Sequence, residues 1–276
     1  MILKTANYNR RSTTMRPTTI TIANQKGGVG KTTTAVNLAA CLVKSGHRTL
    51  LVDLDAQANA TKWLLGAYGQ DGKVIYDLLL RRAPARQCIV ASDSGIDVLP
   101  SNLSLATLDV DLLSEFNREQ RLASVTEELQ DYSFIIVDCP PNLALTTINA
   151  LVAADIILIP IECKAEAWDA VPRLMNTLRK VVQEFRTVVR IYALPTFLDR
   201  SNLSRDIHQE IEAKFESFAL PPIHKNIRLA ESFAARQPII QYDPTASGSV
   251  DYMRVAKEIT NGEEAEVRRR MEERQR

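Results

Sequence analysis

Residues 24–34, NQKGGVGKTTT, constrain this chain more than any other stretch. They follow the apolar run Ile20-Thr21-Ile22-Ala23 and precede a helical pattern over 35–42, so strand, glycine loop and helix come in that order. Gly27, Gly28 and Gly30 carry no Cβ, so successive backbone N–H groups can turn inward and meet phosphate oxygens at a helix N-terminus. In such a loop Lys31 reaches the β/γ-phosphates and the Thr32 hydroxyl sits on Mg²⁺. The expected nucleotide-binding set is Lys26, Gly27, Gly28, Val29, Gly30, Lys31, Thr32 and Thr33. The common pattern G-x-x-x-x-G-K-[ST] asks for glycine at 25, where this chain has Gln25, and a second lysine, Lys26, precedes the glycines. One glycine is missing and one lysine is extra.

Two further apolar runs end on carboxylates. Arg48 begins RTLLVDLD, which closes on Asp53 and Asp55, and Ser133 begins SFIIVD, which closes on Asp138. In a parallel sheet the C-terminal strand ends share one edge, so these aspartates are expected beside the phosphate loop. Alternation points Asp53 and Asp55 to the same face and makes both candidates, Asp55 for a catalytic or metal-linked role. Asp138 reads as a Walker-B carboxylate that holds Mg²⁺ through a water. Further strands are expected over 96–99, 155–162 and 190–197, and helices over 74–80, 117–129, 171–182 and 202–218. The fold class that follows is α/β: one P-loop NTPase domain, with a mostly parallel twisted sheet and helices on both faces.

At 276 residues, 45% apolar and 24% charged, the chain is long enough for one such domain. The expected division is a basic, disordered tail over 1–17, an ATPase domain over 18–260 and a charged helix end over 261–276. The first segment holds Lys4, Arg10, Arg11 and Arg16 without an acid, and reads either as a solvated tail or as a nucleic-acid-contacting arm. The last holds five glutamates and five arginines but no aromatic or leucine face, so it lacks a membrane anchor. No run of eighteen apolar residues and no apolar leader occurs, and the expected location is cytoplasmic. Cys41, Cys88, Cys139 and Cys163 lack C-x-x-C spacing and read as buried or incidental thiols. With a net charge of +1, nothing global announces nucleic acid. Locally, Lys225, Arg228 and Arg236 share a segment whose one acid is Glu231.

At KGGVGKTTTAVNLAA, VDLDAQANAT, IIVDCPPNLALTTINAL and KNIRLAES with PIIQYDPTASGS, the chain resembles the ParA (Soj-like) partition ATPases of the deviant Walker-A group, from about residue 18 to 259. The resemblance implies a slow, partner-stimulated ATPase with ATP and Mg²⁺ as cofactors. Two subunits would sandwich two ATP molecules, with Lys26 reaching the partner's phosphates. Lys26, Lys31 and Asp55 would be catalytic, Asp55 positioning the attacking water. Thr32 and Asp138 would hold the metal. The ATP-bound homodimer would bind double-stranded DNA without sequence preference and be released on hydrolysis stimulated by a ParB-like centromere-binding protein. It would thus work on the nucleoid in plasmid or chromosome segregation. Basic residues of the C-terminal segment would touch DNA: Lys225 and Arg228 fit best, then Arg205 and Arg236. Family members with an N-terminal helix-turn-helix bind an operator, and only a short basic segment precedes the first strand here.

The alternative kept is a nucleoid-based positioning ATPase with a protein cargo, and behind it a MinD-like membrane-cycling ATPase; in a different class, a scaffold that binds ATP and DNA without turnover is argued against by the retention of Lys26, Lys31, Thr32, Asp55 and Asp138. A MinD-like membrane-cycling ATPase would carry glycine at 25 and an amphipathic C-terminal helix, which this sequence lacks. A nitrogenase-iron-protein-like reductase would need paired cysteines in a different setting from those around Cys88 and Cys139.

Overall fold

The apolar runs that end on aspartate become the middle of an eight-stranded sheet in the computed structural model, which describes residues 2–3, 16–66, 72–185 and 189–275. The strands are β1 (Ile2–Leu3), β2 (Thr18–Ile22), β3 (Thr49–Asp53), β4 (Val90–Ala91), β5 (Asp97–Leu99), β6 (Phe134–Asp138), β7 (Ile156–Glu162) and β8 (Val189–Thr196). Their spatial order is β1-β8-β7-β2-β6-β3-β5-β4. All neighbours run parallel except the two edges, where β1 pairs with β8 and β4 with β5 in antiparallel fashion. The expected α/β class holds.

Every residue of β3 and β6 is buried, as a strand covered on both faces requires. Alternation splits each run between two cores. Leu50, Val52, Ile135 and Val137 face helices Leu145–Ala153 and Val171–Phe185, while Leu51 and Ile136 join Ile20 and Ile22 against the other layer. That layer is built on helix α1 (Lys31–Lys44), whose Leu38 and Leu42 share a core with Tyr252, Val255 and Ile259 of the C-terminal helix Ser247–Gln275. Helix α1 ends on Gly46 at φ 88°, with Gly46 N–H donating to Val43 O (2.9 Å) and His47 N–H to Leu42 O (3.0 Å). This left-handed cap needs the glycine.

The two ends of the chain are partly tied to the sheet. Lys4, Arg10 and Arg11 of the basic segment lie outside the described residues, but Ile2–Leu3 pairs with β8 and Arg16 forms an ion pair with Asp155. In the charged C-terminal segment Glu263 accepts from the Thr18 hydroxyl (2.9 Å) and pairs with Arg190. The parallel sense of β2, β3, β6, β7 and β8 brings the glycine loop, Asp53, Asp138, Glu162 and Thr196 to one edge. The site lies there.

Candidate active site

The glycine loop is held open by its own backbone and by its neighbours. Gly28 (φ 76°) and Gly30 (φ 90°) are left-handed, and Gly30 is the N-cap of α1. A Cβ on Gly30 would stand 3.4 Å from the Phe197 ring, so this position combines a backbone demand with a close approach. Asn24 Nδ2 donates to Pro160 O (2.8 Å), Asn24 Oδ1 accepts from Lys26 N–H (3.0 Å), and the Thr196 hydroxyl donates to Val29 O (3.0 Å). Gly27, Gly28, Gly30, Lys31, Thr32 and Thr33 line one side of a cavity of about 720 Å³. Asp55, Asn59, Leu105, Asp109, Pro140 and Phe197 help form the rest. Val29 turns its side chain into the core, leaving only its backbone for a ligand.

The aspartates part company. Asp53 is fully buried and saturated: Oδ1 accepts from Asp55 N–H (3.1 Å), and Oδ2 accepts from both the N–H (2.9 Å) and the hydroxyl (2.8 Å) of Thr61. Its role is to order the loop into helix α2 (Asn59–Leu65), so the expectation that it faces the phosphate site with Asp55 does not hold. Burial pushes its carboxyl up to about 6. Asp55 lines the cavity half-buried, with Oδ1 accepting from Gln57 N–H (2.9 Å). Asp138 stands beside Asp53 on β6, fully buried, and neither of its oxygens makes a well-formed hydrogen bond. Burial first, then the Asp53 charge, raise its pKa well above the carboxylate range, while Thr32 and the Lys31 charge act the other way.

An unsatisfied buried carboxylate next to a hydroxyl on a phosphate-loop helix is a donor set suited to a hydrated divalent cation. Among the described residues no cluster of three or more His, Cys, Asp or Glu could hold a metal by itself. A cation here would therefore take Thr32, Asp138 and ligand phosphates. Lys31 is nearly buried and donates to Lys26 O (3.0 Å), and burial lowers its pKa against the raising charges of Asp138, Cys139 and Asp55.

Lys26 behaves differently from the rest of the loop. It is absent from the cavity lining, and its ammonium lies 3.8 Å from Glu162 at the end of β7. The end of β7 thus engages the extra lysine outside the cavity lining.

A family model described as an AAA domain matches residues 17–191. The chain is 41% identical to the sporulation initiation inhibitor protein Soj of Bacillus subtilis over 245 residues, covering 87% of this chain and 97% of that one. It is 34% identical to the chromosome partitioning protein ParA of Caulobacter vibrioides over 251 residues, covering 88% and 94%. The chain belongs to the ParA/Soj-type P-loop ATPases. The crystal structure of cobyrinic acid a,c-diamide synthase from Mycobacterium smegmatis, with bound ATP analog and magnesium, superposes with a TM-score of 0.76 at 30% identity, over 87% of this chain and 93% of that one.

In this ParA/Soj-type chain the four basic residues singled out in the sequence do not form one cluster. Lys225 is exposed on a segment whose N–H donates to Leu198 O, close to the loop that Arg205 braces by donating to Arg200 O (2.6 Å). Arg228 is paired with Glu231 (2.8 Å) and Asp243 (3.7 Å). Arg236, left-handed at φ 56°, sits past the far end of helix Ile227–Ala234 and against Gly66. The sequence reading missed Thr196 and Phe197, which close the loop from 167 residues away, and it missed Asp109 and Leu105 on the opposite wall. All four cysteines are free and buried, as expected.

Proposed function

We propose that this ParA/Soj-type ATPase is a DNA-partition ATPase that closes as an ATP-bound homodimer, binds double-stranded DNA without sequence preference and lets go on hydrolysis. The observation that carries this reading is the position of Lys26. Lys31, Thr32 and Asp55 line the cavity and Asp138 is buried on the strand behind it, whereas Lys26 is drawn toward Glu162 at the end of a neighbouring strand. A lysine on that rim can serve the phosphates of a second copy, neutralising charge that builds on the transferred γ-phosphoryl. Turnover then requires two subunits.

Within each site the backbone of residues 27–33 cradles the phosphates of ATP, and Lys31 meets the β/γ-oxygens. Thr32 and Asp138 would hold Mg²⁺, Asp138 through a water, and the metal would supply charge neutralisation to the phosphates. Asp55 keeps one oxygen on Gln57 and has the other to orient water in the cavity. The reading extends to slow turnover alone, release by a ParB-like partner and work on the nucleoid; its support is the similarity to relatives named for chromosome partitioning. No helix among the described residues is long and apolar enough to cross a membrane.

Lys225 and Arg228 are the best phosphate contacts, Arg205 and Arg236 the weaker ones. Because Arg228 shares Glu231 and Asp243, DNA has to compete for it. The test is DNA retention with ATP and Mg²⁺ across a salt series. Wild type should bind with ATP and not with ADP, and Lys225→Ala with Arg228→Ala should lower the slope of log affinity against log salt by about 2. An unchanged slope would misplace the DNA face, and vesicle binding in place of DNA binding would overturn the partition reading.

A further inference from the structure

Helix α2 (Asn59–Leu65) begins at the nucleotide cavity and ends against a basic residue. At its start Asn59 lines the cavity with Asp55 and Gln57, and Thr61 grips Asp53 through its N–H and its hydroxyl. At its end Gly66 admits the Arg236 guanidinium so closely that a Cβ there would stand 2.8 Å from it. The helix between them has 7 residues, a rod of roughly 10 Å. Loop and helix meet at Ala58, held left-handed at φ 53°, a conformation uncommon for a residue with a Cβ.

Midway along α2, buried Trp63 holds the segment that carries two of the basic residues. Its indole N–H donates to Gln237 O (3.1 Å), and its ring meets the Phe233 ring edge-on with centroids 5.0 Å apart. Phe233 belongs to helix Ile227–Ala234, which has Arg228 in its first turn. Just beyond Gln237, Ile239 N–H donates to Asn37 Oδ1 (2.7 Å), and Asn37 Nδ2 donates to Thr33 O (2.8 Å). Asn37 is fully buried on α1, and Thr33 lines the cavity. The turn over 237–239 is therefore tied to both walls of the nucleotide site, by α1 on one side and α2 on the other. Apolar packing alone would let this segment slide, whereas hydrogen bonds made away from water hold it in one register.

We propose that Trp63 is a positioning residue that makes DNA contact by Arg228 and Arg236 depend on the nucleotide bound. The inference rests on the ATP-gated DNA reading and names a connection for it inside one chain. In that reading Asp55 works at the γ-phosphate, which ATP has and ADP lacks, so the loop over 55–59 is where the two nucleotides differ. Ala58 takes up the change in backbone angles, and α2 carries it to Trp63 and Gly66. Asn37 keeps the turn on α1, so a shift of α2 against α1 re-aims the helix and the arginines at its two ends.

The experiment compares DNA affinity with a non-hydrolysable ATP analogue and with ADP, for the full chain, Trp63→Phe and Phe233→Ala. It is run at low salt, where phosphate contacts are strongest and the weaker state is measurable too. Trp63→Phe keeps an aromatic ring against Phe233 and drops the N–H; Phe233→Ala removes the stack from its exposed side. Thermal melting checks both folds. In both variants the ratio of the two affinities should fall on the order of fivefold or more, while dimerisation in sedimentation velocity and DNA-free turnover change less than about twofold. A wild-type ratio in the variants overturns the proposal and leaves closure of the dimer alone to carry the nucleotide dependence. So does a loss of DNA affinity that is equal with both nucleotides, the mark of a merely structural tie. Should Trp63→Phe fail to fold, Phe233→Ala decides by the same ratio. If wild type binds DNA equally with both nucleotides, the ATP-gated reading itself fails, an outcome distinct from failure of the tie.

Discussion

Strands β3 and β6 lie side by side and end on aspartates in register, Asp53 opposite Asp138, each after a run of buried apolar residues. Asp53 accepts three hydrogen bonds from Asp55 and Thr61, and Asp138 accepts no well-formed one. Both carboxyls are pushed up by burial; three donors offset this at Asp53, whereas at Asp138 only the Thr32 hydroxyl and the Lys31 charge act against it. A saturated buried carboxylate is a strut. An unsatisfied one is a cost that folding tolerates where a ligand later offsets it. The same local pattern therefore holds a loop in one strand and, in the reading proposed above, offers a carboxylate to a cation in the next.

The largest effect expected from breaking that contrast is on turnover. Asp138→Asn should lower Mg²⁺-dependent ATP hydrolysis about 10²–10³-fold, while the melting temperature of the ligand-free chain should not fall, because burial already drives this carboxyl toward its neutral form. A variant that is both inactive and less stable would show that Asp138 has protein partners after all. Next in size is Asp53→Ala, which strands the Thr61 and Asp55 donors and should cost about 2–4 kcal/mol in urea unfolding. Its turnover should fall less than that of Asp138→Asn. The reverse ranking would exchange the two roles.

The smallest effect is a pH dependence. A carboxyl whose pKa rises from 3.8 unfolded to about 6 folded binds its proton more tightly in the native state. Stability from this group is thus greatest below pH 4 and is lost as pH rises through 6. The penalty of Asp53→Asn should accordingly shrink between pH 4 and pH 7, as read by denaturant unfolding. A penalty that grows over that range would mean Asp53 is held ionised.

The glycine loop, α1 and the strand-end aspartates were legible because local rules write them: glycine where φ is positive, apolar runs where both faces are covered. Alternation put Asp53 on the same face as Asp55 because the partner that turns it away, Thr61, sits beyond a turn whose path no periodicity records. Thr196 and Phe197 reach the loop only through strand order. Leu103, Val110 and Leu113 have core spacing, so only their exposure separates them from Leu105, Leu108 and Leu112. Likewise, Arg228 looks like a free cation until the fold supplies Glu231 and Asp243.

The central claim is that Lys26 acts on a second copy, and mixing two dead variants tests it most directly. Lys26→Ala and Asp55→Ala should each be inactive alone. Mixed in equal amounts with ATP and Mg²⁺, half of the dimers are hybrids, and in each hybrid one site has both an intact Asp55 and the partner's lysine. The mixture should recover about a quarter of wild-type turnover if the lysine acts in trans. No recovery, with hybrid dimers shown to form, would place Lys26 in its own site and contradict the account.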